Sequence, residues 1–104
     1  MFVDLGAERT TVGAEKRGQK IAVEIQSFLS ASPVNDLEKA VGQYDIYRTI
    51  LANTEPDRLP YLAVPLRAYE GIFSERFGQV IVANLKINLI VFDEKSERSL
   101  KWIP

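Results

Sequence analysis

Residues 20–26 read Lys-Ile-Ala-Val-Glu-Ile-Gln, with Ile21, Val23 and Ile25 on one side and Lys20, Ala22, Glu24 and Gln26 on the other. A period of two in β-branched residues is that of a strand, and the spacing predicts one over residues 19–28. The constraint lies on the second side. Glu24 and Gln26 are two apart, so both head groups leave the same face of a strand that otherwise reads as interior. Buried polar groups need partners. This strand therefore commits the fold either to supplying them or to building a site there.

The rest of the chain is arranged around that strand. Phe2, Val3 and Leu5 are strand residues, and Thr10–Ala14 continues the strand after a break. Lys16-Arg17-Gly18-Gln19 is a turn in which Gly18 supplies the positive φ, so the first segment reads as an antiparallel hairpin. A strand so close to the first residue leads to the expectation that an upstream element is missing or is supplied by another copy.

Ser30-Ala31-Ser32-Pro33 is a small-residue linker, with Ser32 or Asn35 as helix cap and Pro33 tolerated in the first turn. From Val34 to about Ala52, apolar residues recur at steps of three and four: Val34, Leu37, Ala40, Val41, Tyr44, Tyr47, Ile50 and Leu51. That is an amphipathic helix. Asn53–Asp57 ends it. The unbroken apolar run Tyr61–Val64, between Pro60 and Pro65, predicts a short strand buried on both faces. Leu66–Phe73 reads as a short helix, Ser74 to Leu85 as another, Ile87–Phe92 as a strand, Asp93–Ser96 as a turn and Arg98–Ile103 as an edge strand. The order ββαβααββ predicts one α/β (α+β) domain over residues 1–104, a mixed central sheet flanked by helices.

The residue inventory narrows the chemistry. The chain has 104 residues and a formal net charge of -1, so no global field draws it to nucleic acid and any such binding needs a local patch. It has no cysteine, which excludes disulfides, thiolate zinc sites and Cys nucleophiles, and no histidine, which excludes Ser-His-Asp chemistry and imidazole-bound metals. A site must use carboxylates, amides, hydroxyls, Lys or Arg. Such a set suits Mg²⁺ or Mn²⁺. No apolar run is long enough to span a bilayer and no signal peptide is visible, so no membrane role and a cytoplasmic location are expected.

The arrangement with chemical content is Asp4, then Glu24-x-Gln26, then Gln43-x-x-x-Tyr47. Strand alternation puts Glu24 and Gln26 on one face, and a helical spacing of four does the same for Gln43 and Tyr47. Two carboxylates from adjacent strands can share a divalent cation that activates a water. A lysine two residues beyond the Glu would complete such a set. Here that residue is Gln26, whose amide hydrogen-bonds but carries no charge. With the turn at residues 16–19, hairpin counting places Asp4 beyond Glu24. Bringing the two together requires about six residues of the first arm to leave the ladder. Glu8–Gly13 is a candidate for that excursion, and Glu15 is an alternative acid near the turn. The plain alternative for Glu24 is an ion pair with Lys20 or a nearby Arg. Tyr44, Tyr47 and Tyr61 read as core aromatics with a polar tip, Lys16, Arg17 and Lys20 as a solvated turn, and Trp102 as a packing anchor.

The segments Val3–Glu8, Ala14–Lys16, Gly18–Ile25, Ser27–Leu29, Gly42–Tyr44, Glu55–Arg58, Tyr61–Pro65 and Trp102–Pro104 resemble the XisH family, the fdxN element excision controlling factors of cyanobacteria. The resemblance covers essentially the whole chain in order. It implies a restriction-endonuclease-like core of the PD-(D/E)XK superfamily, and a part in programmed excision of a DNA element by a site-specific recombinase during heterocyst development. It also implies an XisI-like companion protein, and contacts to the recombinase and DNA. By the same resemblance Asp4 matches the superfamily's metal-binding Asp, Glu24 the Glu of its ExK strand, and Gln43 and Tyr47 its QxxxY helix. Two departures stand out. Gln26 occupies the position of the usual Lys, a degenerate site, and the helix and first strand that usually precede the Asp are missing. Losing that helix would uncover apolar surface, which leads to an expected homo-oligomer.

Three functions follow. The first is an accessory excision factor without efficient nuclease activity. The second is a Mg²⁺-dependent DNA endonuclease using Asp4 and Glu24. The third is a small protein-interaction module with no DNA role.

Overall fold

Six strands form a single sheet whose spatial order is the chain order. The computed structural model describes residues 3–5, 8–96 and 98–103, and side chains for 13–96 and 101–103. Strands β1 (Val3–Leu5) and β3 (Gln19–Ile25) each run antiparallel to β2 (Glu8–Lys16) between them. Strand β4 (Leu59–Pro65) lies parallel to β3, β5 (Leu89–Asp93) parallel to β4, and β6 (Arg98–Ile103) returns antiparallel on β5. The sheet is therefore mixed, as the sequence pattern predicts.

Local chemistry explains each element. Arg17 and Gly18 form a two-residue turn with φ of 52° and 84°, closing the β2–β3 hairpin at the Lys16–Gln19 pair. Two successive positive φ values suit the twist of the flanking strands. Helix α1 (Pro33–Thr54) is capped by the Ser32 hydroxyl, which accepts from the Asn35 N–H at 3.2 Å, with Pro33 in the first turn. It buries Leu37, Ala40, Tyr44 and Leu51. Val34 and Ile50, assigned to the buried face by spacing, are 44% and 50% exposed.

The single helix expected over residues 66–73 is two pieces. Helix α2 (Leu66–Glu70) stops at Gly71, and a 3₁₀ turn follows at Ile72–Ser74. Helix α3 (Arg76–Leu85) then packs so closely on that turn that a Cβ on Gly78 would lie 2.2 Å from the Ile72 carbonyl oxygen. β3 ends at Ile25 rather than 28, because Phe28 adopts a φ of 54°. A bulky residue in the left-handed region needs support from its surroundings. Arg67 provides it: its guanidinium donates to the Phe28 carbonyl at 2.6 Å and the Ser27 carbonyl at 2.8 Å, and pairs with Glu94 at 2.8 Å. The Phe28 ring is buried edge-on against Phe73, with centroids 5.5 Å apart.

The sheet has two unlike faces. On one, Leu62, Val64, Leu89 and Val91 form a cluster with Leu37, Ala40 and Tyr44 of α1, Ala68 of α2, and Ile72 and Phe73. Ile81 and Val82 of α3 pack against it. On the other, Ile21, Tyr61, Ala63 and Ile90 cluster with Val23, Ile25, Phe92 and Trp102, all of them strand residues. The helices lie on the first face. The run Tyr61–Val64 is buried on both faces, as its sequence predicts, at 5% exposure or less for each residue. Among the described residues, no helix packs on the second face.

Candidate functional site

Glu24 pairs in register with Leu62. It therefore points to the helix-covered face, beneath α1, where it is 5% exposed. Gln26, two residues on, points the same way, and its backbone N–H extends the ladder to the Ala63 carbonyl at 3.0 Å. The Gln26 side-chain amide bridges strand and helix. Its Nε2 donates to Glu24 Oε2 at 3.1 Å and to Gln43 Oε1 at 2.6 Å. Spacings of two on a strand and four on a helix thus bring Glu24, Gln26, Gln43 and Tyr47 to one place. Glu24, Gln43 and Tyr47, with Ile46, line a shallow cavity of about 240 Å³.

Of the plain alternatives for Glu24, an ion pair with Lys20 or a nearby Arg, the one with Lys20 does not form among the described residues. Lys20 pairs with Asp57 at 3.6 Å, and Arg58 with Glu55 at 3.0 Å. Burial pushes the Tyr47 phenol above its ordinary range, with the Glu55 and Glu24 charges adding to the effect. The phenol stays protonated at neutral pH and keeps its donor. Ile46, 64% exposed at the cavity rim, was not distinguished by the sequence pattern. Its place three residues after Gln43, on the same helix face, is the signal that marks it.

Asp4 lies on β1, and β2 separates that strand from β3. Val3 pairs with Thr11, and Thr11 with Glu24, so β1 is level with Glu24 but two strand spacings away. The Asp4 side chain lies outside the described residues. The excursion expected over Glu8–Gly13 is replaced by a continuous strand, on which β1 lies antiparallel with Leu5 opposite Glu8. Glu15 pairs with Lys20 in register near the hairpin turn, away from Glu24.

A divalent cation needs several hard oxygen ligands. Among the described residues, no group of three or more His, Cys, Asp or Glu is placed to share one. Glu24 is the one acid lining the cavity, and its Oε2 already accepts from an amide. The described donors do not fit a metal centre by themselves.

The other tyrosines are structural. Tyr44 is 1% exposed, its hydroxyl donating to the Pro60 carbonyl at 3.2 Å and accepting from the Asn88 N–H at 3.3 Å. Burial raises its pKa. Tyr61 is buried edge-on against Trp102, with centroids 5.1 Å apart.

Fold and site together define an α+β protein whose mixed sheet carries a Glu–Gln–Gln cluster, with Glu24 buried, against its longest helix. The chain belongs to the XisH family, whose model matches residues 1–100. It is similar to an fdxN element excision controlling factor from Anabaena variabilis, at 37% identity and a TM-score of 0.87 over 100% of this chain and 82% of that one. It is also similar to an XisH family protein from Nostoc punctiforme, at 33% identity and a TM-score of 0.87 over 100% of this chain and 83% of that one. No curated protein matches the sequence. No helix among the described residues is long and apolar enough to cross a membrane.

Proposed function

We propose that this chain is an excision controlling factor of the XisH type, acting in the removal of a DNA element through contacts with partner proteins and DNA and without efficient cleavage of its own. The name of the Anabaena relative supports the process. The observation that carries the second half is the Gln26 amide. By the resemblance it stands at the position of a nuclease lysine, and it ties Glu24 to Gln43 at 3.1 and 2.6 Å. A neutral amide gives neither positive charge to a phosphorane nor a proton to a leaving group. The fold is then a restriction-endonuclease-like core put to a non-cleaving use. An XisI-like protein is the proposed companion, and Mg²⁺ or Mn²⁺ is not proposed to be held tightly.

A nicking assay on supercoiled DNA with Mg²⁺ and Mn²⁺ tests the reading. The expected result is no cleavage above background, with duplex binding at low salt in the presence of the companion. Cleavage that disappears in Glu24→Ala would establish the endonuclease instead. Stable companion binding with no duplex retained under any salt condition would establish a pure interaction module.

A further inference from the structure

A second cavity, of about 250 Å³, lies where α1 and α3 end and β4 begins, and it shares no lining residue with the cavity at Glu24. Its lining includes three cations, Arg48, Arg58 and Lys86, and no acid. Asp45 and Glu55, which pair with the two arginines, are not part of the lining. Both guanidinium groups are fixed in place. Arg48 donates to the Leu85 carbonyl at 2.8 Å and lies 5.1 Å from the Tyr44 ring centroid. Arg58, its side chain 10% exposed, donates to the Ile21 carbonyl at 2.7 Å. The Pro60 carbonyl, which would repel an anion, is already covered by the Tyr44 hydroxyl at 3.2 Å and the Asn88 Nδ2 at 3.1 Å. Lys86 is held differently. It caps α3 with a φ of 53°, in the left-handed region where helices commonly end on Gly. A lysine there strains the backbone, and its ammonium makes no ion pair among the described residues. Cations near a helix C-terminus answer the negative end of the dipole. Arg48 already does so for α3 through the Leu85 carbonyl, which leaves Lys86 without that explanation.

We propose that this cavity binds the phosphate group of a phosphate ester. Two planar guanidinium forks and one ammonium on a flexible stem supply more positive charge than a single carboxylate carries, and they match the several oxygens of a phosphate. The apolar part of the wall, Leu51, Pro56 and Leu59, gives the organic part of the ester a surface to lie on. A free nucleotide and a nucleic-acid backbone present the same group, and the pocket recognises what they share. The assignment uses none of Glu24, Gln26, Gln43 or Tyr47, so it stands or falls apart from the excision reading.

Amide chemical shifts of the isotope-labelled chain, followed by NMR at constant ionic strength, test it. The probes are inorganic phosphate, thymidine 5′-monophosphate, thymidine and a short DNA duplex. The expected result is a saturable shift at Lys86 and Asn88 with a phosphate-bearing probe and none with thymidine. Saturation by the monophosphate and not the duplex makes the ligand a free ester. Saturation by the duplex makes it the nucleic-acid backbone. Both outcomes keep the pocket. Lys86→Gly and Lys86→Asn suit a positive φ, so each should melt no lower than the wild type. Each should weaken binding about tenfold, the loss that goes with one charge-assisted hydrogen bond. Lys86→Arg keeps the charge and should keep the affinity. Absence of a saturable shift with every probe overturns the proposal. So does affinity that is unchanged in both neutral variants.

Discussion

The Lys16 ammonium lies 4.0 Å from the ring centroid of Trp102, although β2 and β6 are separated by three strands. Strands are spaced by about 4.8 Å, so a flat sheet would hold these two backbones near 19 Å apart by that spacing, roughly 19 Å being beyond close contact for the two side chains. The contact thus fixes the curl of the sheet. Cation–π pairs contribute about 0.5–1 kcal/mol when partly exposed. Lys16→Met keeps most of the aliphatic stem and removes the charge. It should lower urea stability by about that 0.5–1 kcal/mol and change the Trp102 emission. An unchanged emission maximum would mean that the brace does not exist in solution.

Two glycines make opposite predictions. A Cβ on Gly78 meets the Ile72 carbonyl oxygen at 2.2 Å and the Phe73 Cα at 2.9 Å, both backbone atoms. Gly78→Ala should therefore sit at or above the top of the range of about 1–3 kcal/mol typical of overpacking. Gly42, exposed in α1, has nothing within 4 Å of its would-be Cβ. Gly42→Ala should stabilise by about 0.5–1 kcal/mol through helix propensity. Chemical denaturation of the pair measures both signs at once.

Tyr44→Phe removes a hydroxyl that serves the Pro60 carbonyl and the Asn88 N–H. The carbonyl keeps the Asn88 Nδ2 donor at 3.1 Å, whereas the N–H loses its described side-chain acceptor. One orphaned group costs about 1–3 kcal/mol. The variant should lose stability in that range while amide exchange at Asn88 accelerates. A change confined to the far α1 terminus would contradict this account.

Acid should loosen the tether at the end of β3. The Arg67 guanidinium hydrogen-bonded to Glu94 holds its carboxyl below the ordinary 4.5. A depressed folded pKa contributes stability above the unfolded value, and that contribution is lost as the pH falls through the folded one. Asp93 is lowered in the same direction by the Lys95 N–H and the Ser96 hydroxyl. Both groups are at the surface, so the effect is small and screened by salt. Melting temperatures followed downward from pH 6 to about pH 3 should fall less steeply in Glu94→Gln than in the wild type. Parallel curves would show that the pair carries none of the acid limb.

Gln26→Lys puts an ammonium beside Glu24 and Gln43 without touching the backbone. If Gln26 alone silences the site, the variant should nick DNA with Mg²⁺ while the wild type does not. Continued silence, with wild-type melting behaviour, would place the loss elsewhere in the cluster.

Much of this was legible in the sequence. Period two in Ile21–Ile25, period three-to-four from Leu37 to Leu51, and the apolar run Tyr61–Val64 each survive as β3, α1 and β4. The site was legible for the same reason, since spacings of two and four fix faces before any partner is known. Pairing was not. A period of two says that Val3–Leu5 is a strand but not where it lies, and its antiparallel return onto β2 leaves Asp4 on the strand beyond β2. The Arg67 tether joins residues 39 and 40 positions apart, and the Lys16–Trp102 brace depends on curvature. Neither distance nor curvature is written in a local pattern.

Because each strand settles beside the one made just before it, the sheet can grow from one edge in the direction of synthesis. No earlier pair has to reopen to admit a later strand. The longest wait falls between β3 and β4, while the 22 residues of α1 emerge. During that interval the hairpin exposes the Glu24 edge of β3, and the first segment able to satisfy its ladder is β4 itself. A ribosome-bound chain stopped before residue 59 should therefore be the species most prone to misassociate, and one stopped after β5 should already hold its core.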